Sequence, residues 1–159
     1  MHESSERSGV KVCFNLTQKD TDGWPPVDVE SVWAKPLGER RFVICNVPFY
    51  VRDIAFNDVV EAAPRPSSDS LYDFIRVISR GGHSTYRIIR CAKDEATFQK
   101  QLHDLTTIGC TYEQADPSLY AVDMSPAVDV NAAYRILEEG VTRQIWDFEE
   151  GYYYRRNAN

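Results

Sequence analysis

Long apolar runs are missing from this sequence. The longest, such as the run within residues 41–45, are far shorter than the roughly 20 residues that a membrane-spanning helix needs. Residues 1–9 are polar and lack the apolar segment of a secretory signal. Both absences predict a cytoplasmic protein that contains no membrane segment.

Closely spaced cysteines are also lacking. The four cysteines are Cys13, Cys45, Cys91 and Cys110, and no two of them form a Cys-x-x-Cys pair. Each lies in an apolar context that is typical of a strand or of the end of a helix. We therefore expect free, buried thiols in a reducing compartment rather than disulfides.

Motifs for catalysis or metal binding are equally scarce. The three histidines, His2, His83 and His103, show none of the close spacings of metal ligands, and no Gly-x-Ser-x-Gly elbow occurs. The sequence therefore predicts no metal, no cofactor and no enzymatic activity. One catalytic alternative stays open, in which His83 acts with a nearby cysteine or aspartate.

Basic residues are outnumbered, and the two charge signs are separated along the chain. The 159 residues carry a formal net charge of -6. Five bases and no acid lie between Arg76 and Lys93, whereas nine acids and two bases lie between Glu113 and Glu150. Because phosphates require cations, the acidic half argues against nucleic acid and favours a basic protein partner.

The spacing of apolar and turn residues predicts an α+β fold in two halves after a disordered tail at residues 1–9. Residues 10–83 contain short alternating runs between Gly, Pro and Asp clusters, which is typical of a small, strongly bent β-sheet or partial barrel. The predicted strands of this half are Val10–Leu16, Glu30–Leu37, Arg41–Val47, Ala55–Ala62 and Leu71–Ser79.

Helices join the strands in residues 84–156. Asp94 and Asp129 occupy candidate N-cap positions, and Gly109 and Gly140 follow as candidate helix ends. The resulting order, β-α-β-β-α-β, predicts a ferredoxin-like half that shares an interface with the first. The predicted elements of this half are Ser84–Cys91, Glu95–Ile108, Cys110–Gln114, Leu119–Met124, Val130–Glu139 and Gln144–Tyr154.

Two motifs resemble those of a bacterial family known as domain of unknown function 4265. They are the segment from Asn46 to Ala62, which begins Asn-Val-Pro-Phe-Tyr, and the segment Gly-Gly-His-Ser-Thr-Tyr-Arg at 81–87. Asn57 stands where the family favours Gly, which suggests a left-handed backbone that Asn also tolerates. The resemblance covers roughly residues 10–154 and implies a bacterial cytoplasmic protein, but no activity.

The Gly-rich segment at 81–87 is the first candidate binding site. Its backbone N–H groups could form an anion-binding nest together with polar side chains, which would make the protein a small-molecule sensor or regulatory domain. Alternatively, the glycines serve a hairpin turn that needs positive φ. The residues of this candidate site are Gly82, His83, Ser84 and Arg87.

Acidic and tyrosine side chains near the C-terminus are the second candidate site. Exposed tyrosines are typical of the energetic centre of a protein interface, and acidic side chains steer a basic partner. This composition predicts a non-catalytic immunity or antitoxin protein that covers a basic toxin. The predicted contact residues are Asp123, Glu138, Glu139, Asp147, Glu149, Tyr152 and Tyr153.

Overall fold

The structure is a computed structural model that describes residues 9–17 and 20–155. The predicted disordered tail lies outside the described residues except for Gly9. Strands dominate the described part of the chain, and two helices occur late in it. The elements are β1 Val10–Asn15, β2 Val29–Gly38, β3 Arg41–Ile44, β4 Val59–Pro64, β5 Leu71–Ser79, β6 Ser84–Arg90, α1 Glu95–Thr107, β7 Thr111–Gln114, β8 Leu119–Met124, α2 Val130–Thr142 and β9 Trp146–Tyr152.

Strands β1 to β5 form a closed barrel. Successive strands pair antiparallel, and β1 closes the ring by pairing parallel with β5. Closure leaves the barrel without an unpaired edge, and its interior is filled by side chains that alternate along each strand. The buried barrel core consists of Val12, Phe14, Val32, Ala34, Phe42, Ile44, Ile54, Val60 and Ala62.

Strands β6 to β9 form a second sheet in the order β7-β8-β6-β9, in which each neighbouring pair is antiparallel. Both helices begin at the predicted N-caps, because the carboxylates of Asp94 and Asp129 accept hydrogen bonds from first-turn N–H groups. The helices contribute to one core with the sheet, whose largest buried members are Tyr86, Ile88, Phe98, Leu102, Leu105, Met124, Leu137, Ile145 and Trp146.

The predicted fold class is wrong. The described chain is mostly β, with a closed five-stranded barrel and a four-stranded sheet accompanied by two helices, rather than a bent sheet joined to a ferredoxin-like half. The parallel pairing of β1 with β5 closes the barrel. This pairing joins strands that lie about 60 residues apart, so no local pattern of apolar residues reveals it.

The segment between β3 and β4, residues 45–58, joins two barrel strands and contacts the second sheet. We call it the connecting segment. Side chains of β6 alternate between two environments, so that Tyr86 and Ile88 enter the core shared with the helices. Thr85 and Arg87 point the other way and contact backbone carbonyls of residues 48–54. The face of the sheet opposite that core therefore packs against residues 48–54.

Candidate functional site

Arg87 lies at the centre of the contact between barrel and sheet and is fully buried. Its Nε donates to Glu149 at 3.0 Å, and its two terminal nitrogens donate at 2.9 Å to the carbonyls of Val51 and Tyr50. A buried charge requires such partners because it has lost its hydration. The guanidinium predicted to bind an anion is therefore fully used inside the protein.

The segment that Arg87 contacts is also held by carboxylates. The Glu30 side chain on β2 accepts hydrogen bonds from the backbone N–H groups of Phe49, Tyr50 and Val51 at 2.7 to 3.0 Å. Glu113 on β7 accepts from the N–H of Val47. Arg87 thus satisfies carbonyls of this segment while Glu30 and Glu113 satisfy its N–H groups, which fixes its backbone from both sides.

Asp58 lies in the motif at 46–62 and forms a hydrogen bond to the motif at 81–87. Its buried carboxylate accepts from the N–H of Gly81 at 3.1 Å, from the N–H of Ala55 at 2.9 Å and from Arg80 Nη1 at 2.9 Å. Burial raises the pKa of Asp58 above its ordinary value, although these donors and the Arg80 charge oppose the shift. The neighbouring Asn57 adopts the left-handed backbone suggested by the sequence, with φ of 71°.

The remaining polar groups of the Gly-rich turn also bind within the chain. His83 Nδ1 lies 2.8 Å and 2.9 Å from the two oxygens of Asp123, and Ser84 Oγ accepts from the N–H of Tyr154 at 2.9 Å. Gly82 has the positive φ, 87°, that the hairpin-turn interpretation requires. The turn therefore has a structural role in joining barrel and sheet.

The structure does not place the seven predicted contact residues on one surface. Asp123 is buried beside His83, and Glu149 is partly buried between Arg87 and Arg52. The Tyr152 ring lies 4.0 Å below the guanidinium of Arg80. The exposed ones are Glu138, Glu139, Asp147 and Tyr153.

Glu138 belongs to a surface that the sequence reading missed, which we call the edge patch. It consists of Tyr134, Glu138 and Val141 on α2 and of Phe148 and Glu150 on β9. The three helix residues share one stripe because they are spaced i, i+4 and i+7. Tyr134 and Val141 are each 40% exposed. The same spacing can be read from the sequence, because Tyr134, Glu138 and Val141 form a second stripe next to the buried stripe of α2.

Aromatic contacts hold the edge patch in a defined shape. The rings of Tyr134 and Phe148 meet edge to face at 5.5 Å. Tyr86 donates its hydroxyl to Glu150 Oε1 at 3.0 Å, and burial together with that carboxylate raises the pKa of Tyr86. A hollow of about 440 Å³ lies beside these rings and is lined by Glu138, Val141, Thr142 and Phe148.

Two absences hold for the described residues. Within 9–17 and 20–155, no three His, Cys, Asp or Glu side chains are grouped so that they could hold a metal ion. In the same residues, neither helix has the length and apolar character to cross a bilayer.

The fold and the packed motifs define a barrel-and-sheet protein in which the Asn-Val-Pro-Phe-Tyr segment docks on the Gly-Gly-His-Ser-Thr-Tyr-Arg strand. A family model described as "Domain of unknown function (DUF4265)" matches residues 30–148, which include both motifs. The chain belongs to this family, as the resemblance predicted.

A protein of known structure has a similar fold. The chain is similar to a protein from Neisseria gonorrhoeae described as "Novel crystal structure of a hypothetical protein", with a TM-score of 0.70 and 16% identity. The match covers 89% of this chain and 91% of that one. No curated protein matches the chain.

Proposed function

We propose that this protein binds a basic protein through the edge patch and acts as an immunity-type inhibitor without catalysis of its own. The observation that carries the proposal is the combination of exposed Tyr134 and Val141 with Glu138 and Glu150 in one surface. Aromatic side chains with an acidic rim are typical of the energetic centre of a protein interface.

The position of β9 supports a polypeptide partner. In the sheet order β7-β8-β6-β9, this strand lies at an edge and pairs with β6 alone among the described strands. An edge strand presents backbone N–H and C=O groups that an extended segment of another protein can pair with. Phe148 and Glu150 project from the same strand and would contact side chains of that segment.

The charges on α2 support a basic partner. Glu138 and Glu139 lie in the last two turns of the helix, where negative charge is unfavourable beside the C-terminal end of the helix dipole. Glu139 is paired only weakly, at 3.6 Å from Arg143, and both side chains are about half exposed. A cationic partner would relieve this cost, and the net charge of -6 would accelerate its approach.

The anion-sensing alternative has less support. The polar side chains of His83, Ser84 and Arg87 each bind another part of the chain, and Arg87 is inaccessible to a ligand.

The experiment is affinity purification of the tagged protein from its native host, followed by quantitative mass spectrometry. Three tagged forms are compared: the natural sequence, a Tyr134→Ala/Glu138→Lys double variant and an Asp69→Lys control. Asp69 is an exposed acid in the turn between β4 and β5, so the control repeats the charge reversal on the barrel. A basic partner that is retained by the natural protein and the control but lost by the double variant is then purified and titrated directly.

Two results would overturn the proposal. One is a partner that binds the double variant as tightly as the natural protein, and the other is the absence of any stoichiometric partner at moderate salt. Glu149 is avoided as a test position because it neutralises the buried Arg87, so that its substitution would disturb folding together with binding.

A further inference from the structure

The mouth of the barrel contains a cavity that the edge patch does not use. It has a volume of about 250 Å³ and lies where β1 ends at Asn15. Its apolar floor is formed by the side chains of Phe14, Val51, Ile54, Phe74 and Val77. The volume is small for a ligand site and corresponds to about eight water molecules, which limits the occupant to a small molecule.

Four polar residues, Asn15, Arg52, Asp53 and Arg80, complete the lining of the cavity. The Arg80 guanidinium already donates to the Asp58 carboxylate and to the carbonyl of Asp53, so Arg52 is the cation considered for a ligand. The Arg52 side chain is 60% exposed, and its nearest carboxylates, Asp20 and Glu149, lie at 3.8 and 3.9 Å. Among the described residues, no side chain forms a hydrogen bond or an ion pair with the Asp53 carboxylate. The Arg52 cation, whose two ion pairs are long, and the Asp53 carboxylate therefore both line the cavity together with its apolar floor.

The backbone of Asp53 is fixed in an uncommon conformation. Its φ is 66°, in the left-handed region that costs free energy for a residue other than Gly. The N–H of Asp53 donates to the carbonyl of Gly151 at 2.9 Å, and Arg80 Nη1 donates to the carbonyl of Asp53 at 2.6 Å. Both polar backbone groups are thus satisfied by neighbouring elements, which fixes the backbone from which the Asp53 side chain projects.

We infer that the barrel mouth binds a free α-amino acid with an apolar side chain. The ligand carboxylate would pair with Arg52, because guanidinium and carboxylate form charge-assisted hydrogen bonds. The ligand ammonium would pair with Asp53, and the apolar side chain would enter the cavity between Phe74 and Val77. A simple anion fits less well, since Asp53 would repel it.

The test is isothermal titration calorimetry on the full chain without any protein partner, so its outcome is independent of the proposed inhibitor function. The probes are L-phenylalanine and L-leucine, and the matched controls are phenylpropionate, which lacks the ammonium, and phenethylamine, which lacks the carboxylate. We expect one amino acid at least to bind with a Kd below about 1 mM. Both controls should bind at least about tenfold more weakly, because each leaves one charge of the site unpaired.

Variants locate the site. Arg52→Gln and Asp53→Asn should each weaken amino acid binding about tenfold or more, and Asn tolerates the left-handed backbone at position 53. The control is Arg76→Gln, which makes the same change at an exposed arginine on β5 outside the cavity and should leave the Kd unaltered. The inference is overturned if neither amino acid binds at millimolar concentration, if phenylpropionate or phenethylamine binds equally well, or if Arg52→Gln has no effect.

Discussion

The guanidinium of Arg87 lies 2.9 Å from the backbone oxygen of Tyr50, although the two residues are 37 positions apart in the chain. Tyr50 belongs to the first family motif and Arg87 to the second, so the two motifs bind each other directly. The same guanidinium reaches Val51 and Glu149. One side chain thus links the connecting segment, residues 45–58, with two strands of the sheet.

Replacing Arg87 by Met should destabilise the protein strongly. The substitution removes the charge and leaves the carbonyls of Tyr50 and Val51 without their Arg87 donors. The Glu149 carboxylate then keeps only its longer ion pair with Arg52. Breaking a buried ion pair from one side typically costs about 3–5 kcal/mol. Urea unfolding followed by circular dichroism measures the change. Arg76→Met on the exposed face of β5 is the control and should cost less than about 1 kcal/mol. Equal midpoints for the two variants would contradict the central role of Arg87.

Asp58 should make stability depend on pH in a direction opposite to that of a salt-bridged surface acid. Because burial raises its pKa in the folded state, the folded protein holds the proton more tightly than the unfolded chain. The Asp58 contribution is therefore complete below the unfolded pKa and is lost as pH rises through the folded pKa.

Thermal melts between about pH 3 and 7 of the natural protein and of Asp58→Asn measure this contribution. The melting temperature of the natural protein, relative to that of the variant, should fall across this interval as pH rises. The variant is less stable overall, since an amide accepts fewer of the hydrogen bonds from Ala55, Gly81 and Arg80. A relative increase with pH would show that Arg80 and the two N–H donors outweigh burial.

Gly140→Ala should destabilise the protein although Ala favours helices. A Cβ at this position of α2 would overlap with atoms of the Trp146 ring. Trp146 is fully buried and donates its Nε1 to the carbonyl of Leu137 at 2.9 Å, so moving the ring would disturb the packed core and this hydrogen bond. Overpacking costs about 1–3 kcal/mol, and in a core that cannot relax this cost outweighs the roughly 1 kcal/mol gained from helix propensity.

Denaturant unfolding of Gly140→Ala is compared with that of Thr142→Ala, an exposed change in the same helix. The expected order of stability is Thr142→Ala above Gly140→Ala. A stabilised Gly140→Ala protein would mean that α2 can move away from β9 without loss of packing.

Local sequence signals identified many of the elements. The part of the fold that was predicted wrongly depends on pairing between distant strands. The N-caps Asp94 and Asp129 and the strands at 71–79 and 119–124 follow from capping chemistry and alternation within about ten residues of chain. The closed barrel depends on β1 meeting β5, which no segment reveals by itself.

For the candidate sites too, the sequence indicates local properties of a residue but not its distant partners. Sequence reasoning selected Arg87 and Asp123 for their charge, but each is buried against a partner that lies far away along the chain. Both faces of β6 are buried, although its composition is partly polar. The sequence does not reveal this burial, because one face is covered by residues 48–54, which lie far away in the chain. Glu138 was selected because its unfavourable position at a helix end is a local property, and its role in binding stays a prediction.

Cys110 should be chemically inert in the folded protein. Burial, with a smaller contribution from the charge of Asp123, raises the pKa of its thiol to about 12, so the reactive thiolate is scarce at neutral pH. Cys91 is exposed, and Cys45 is partly exposed. A disulfide exchange reagent such as Ellman's should therefore modify Cys91 first, and Cys110 should react only when the chain unfolds. Following the reaction in a Cys45→Ser/Cys91→Ser variant isolates the buried thiols. Rapid modification of Cys110 in that folded variant would contradict its burial.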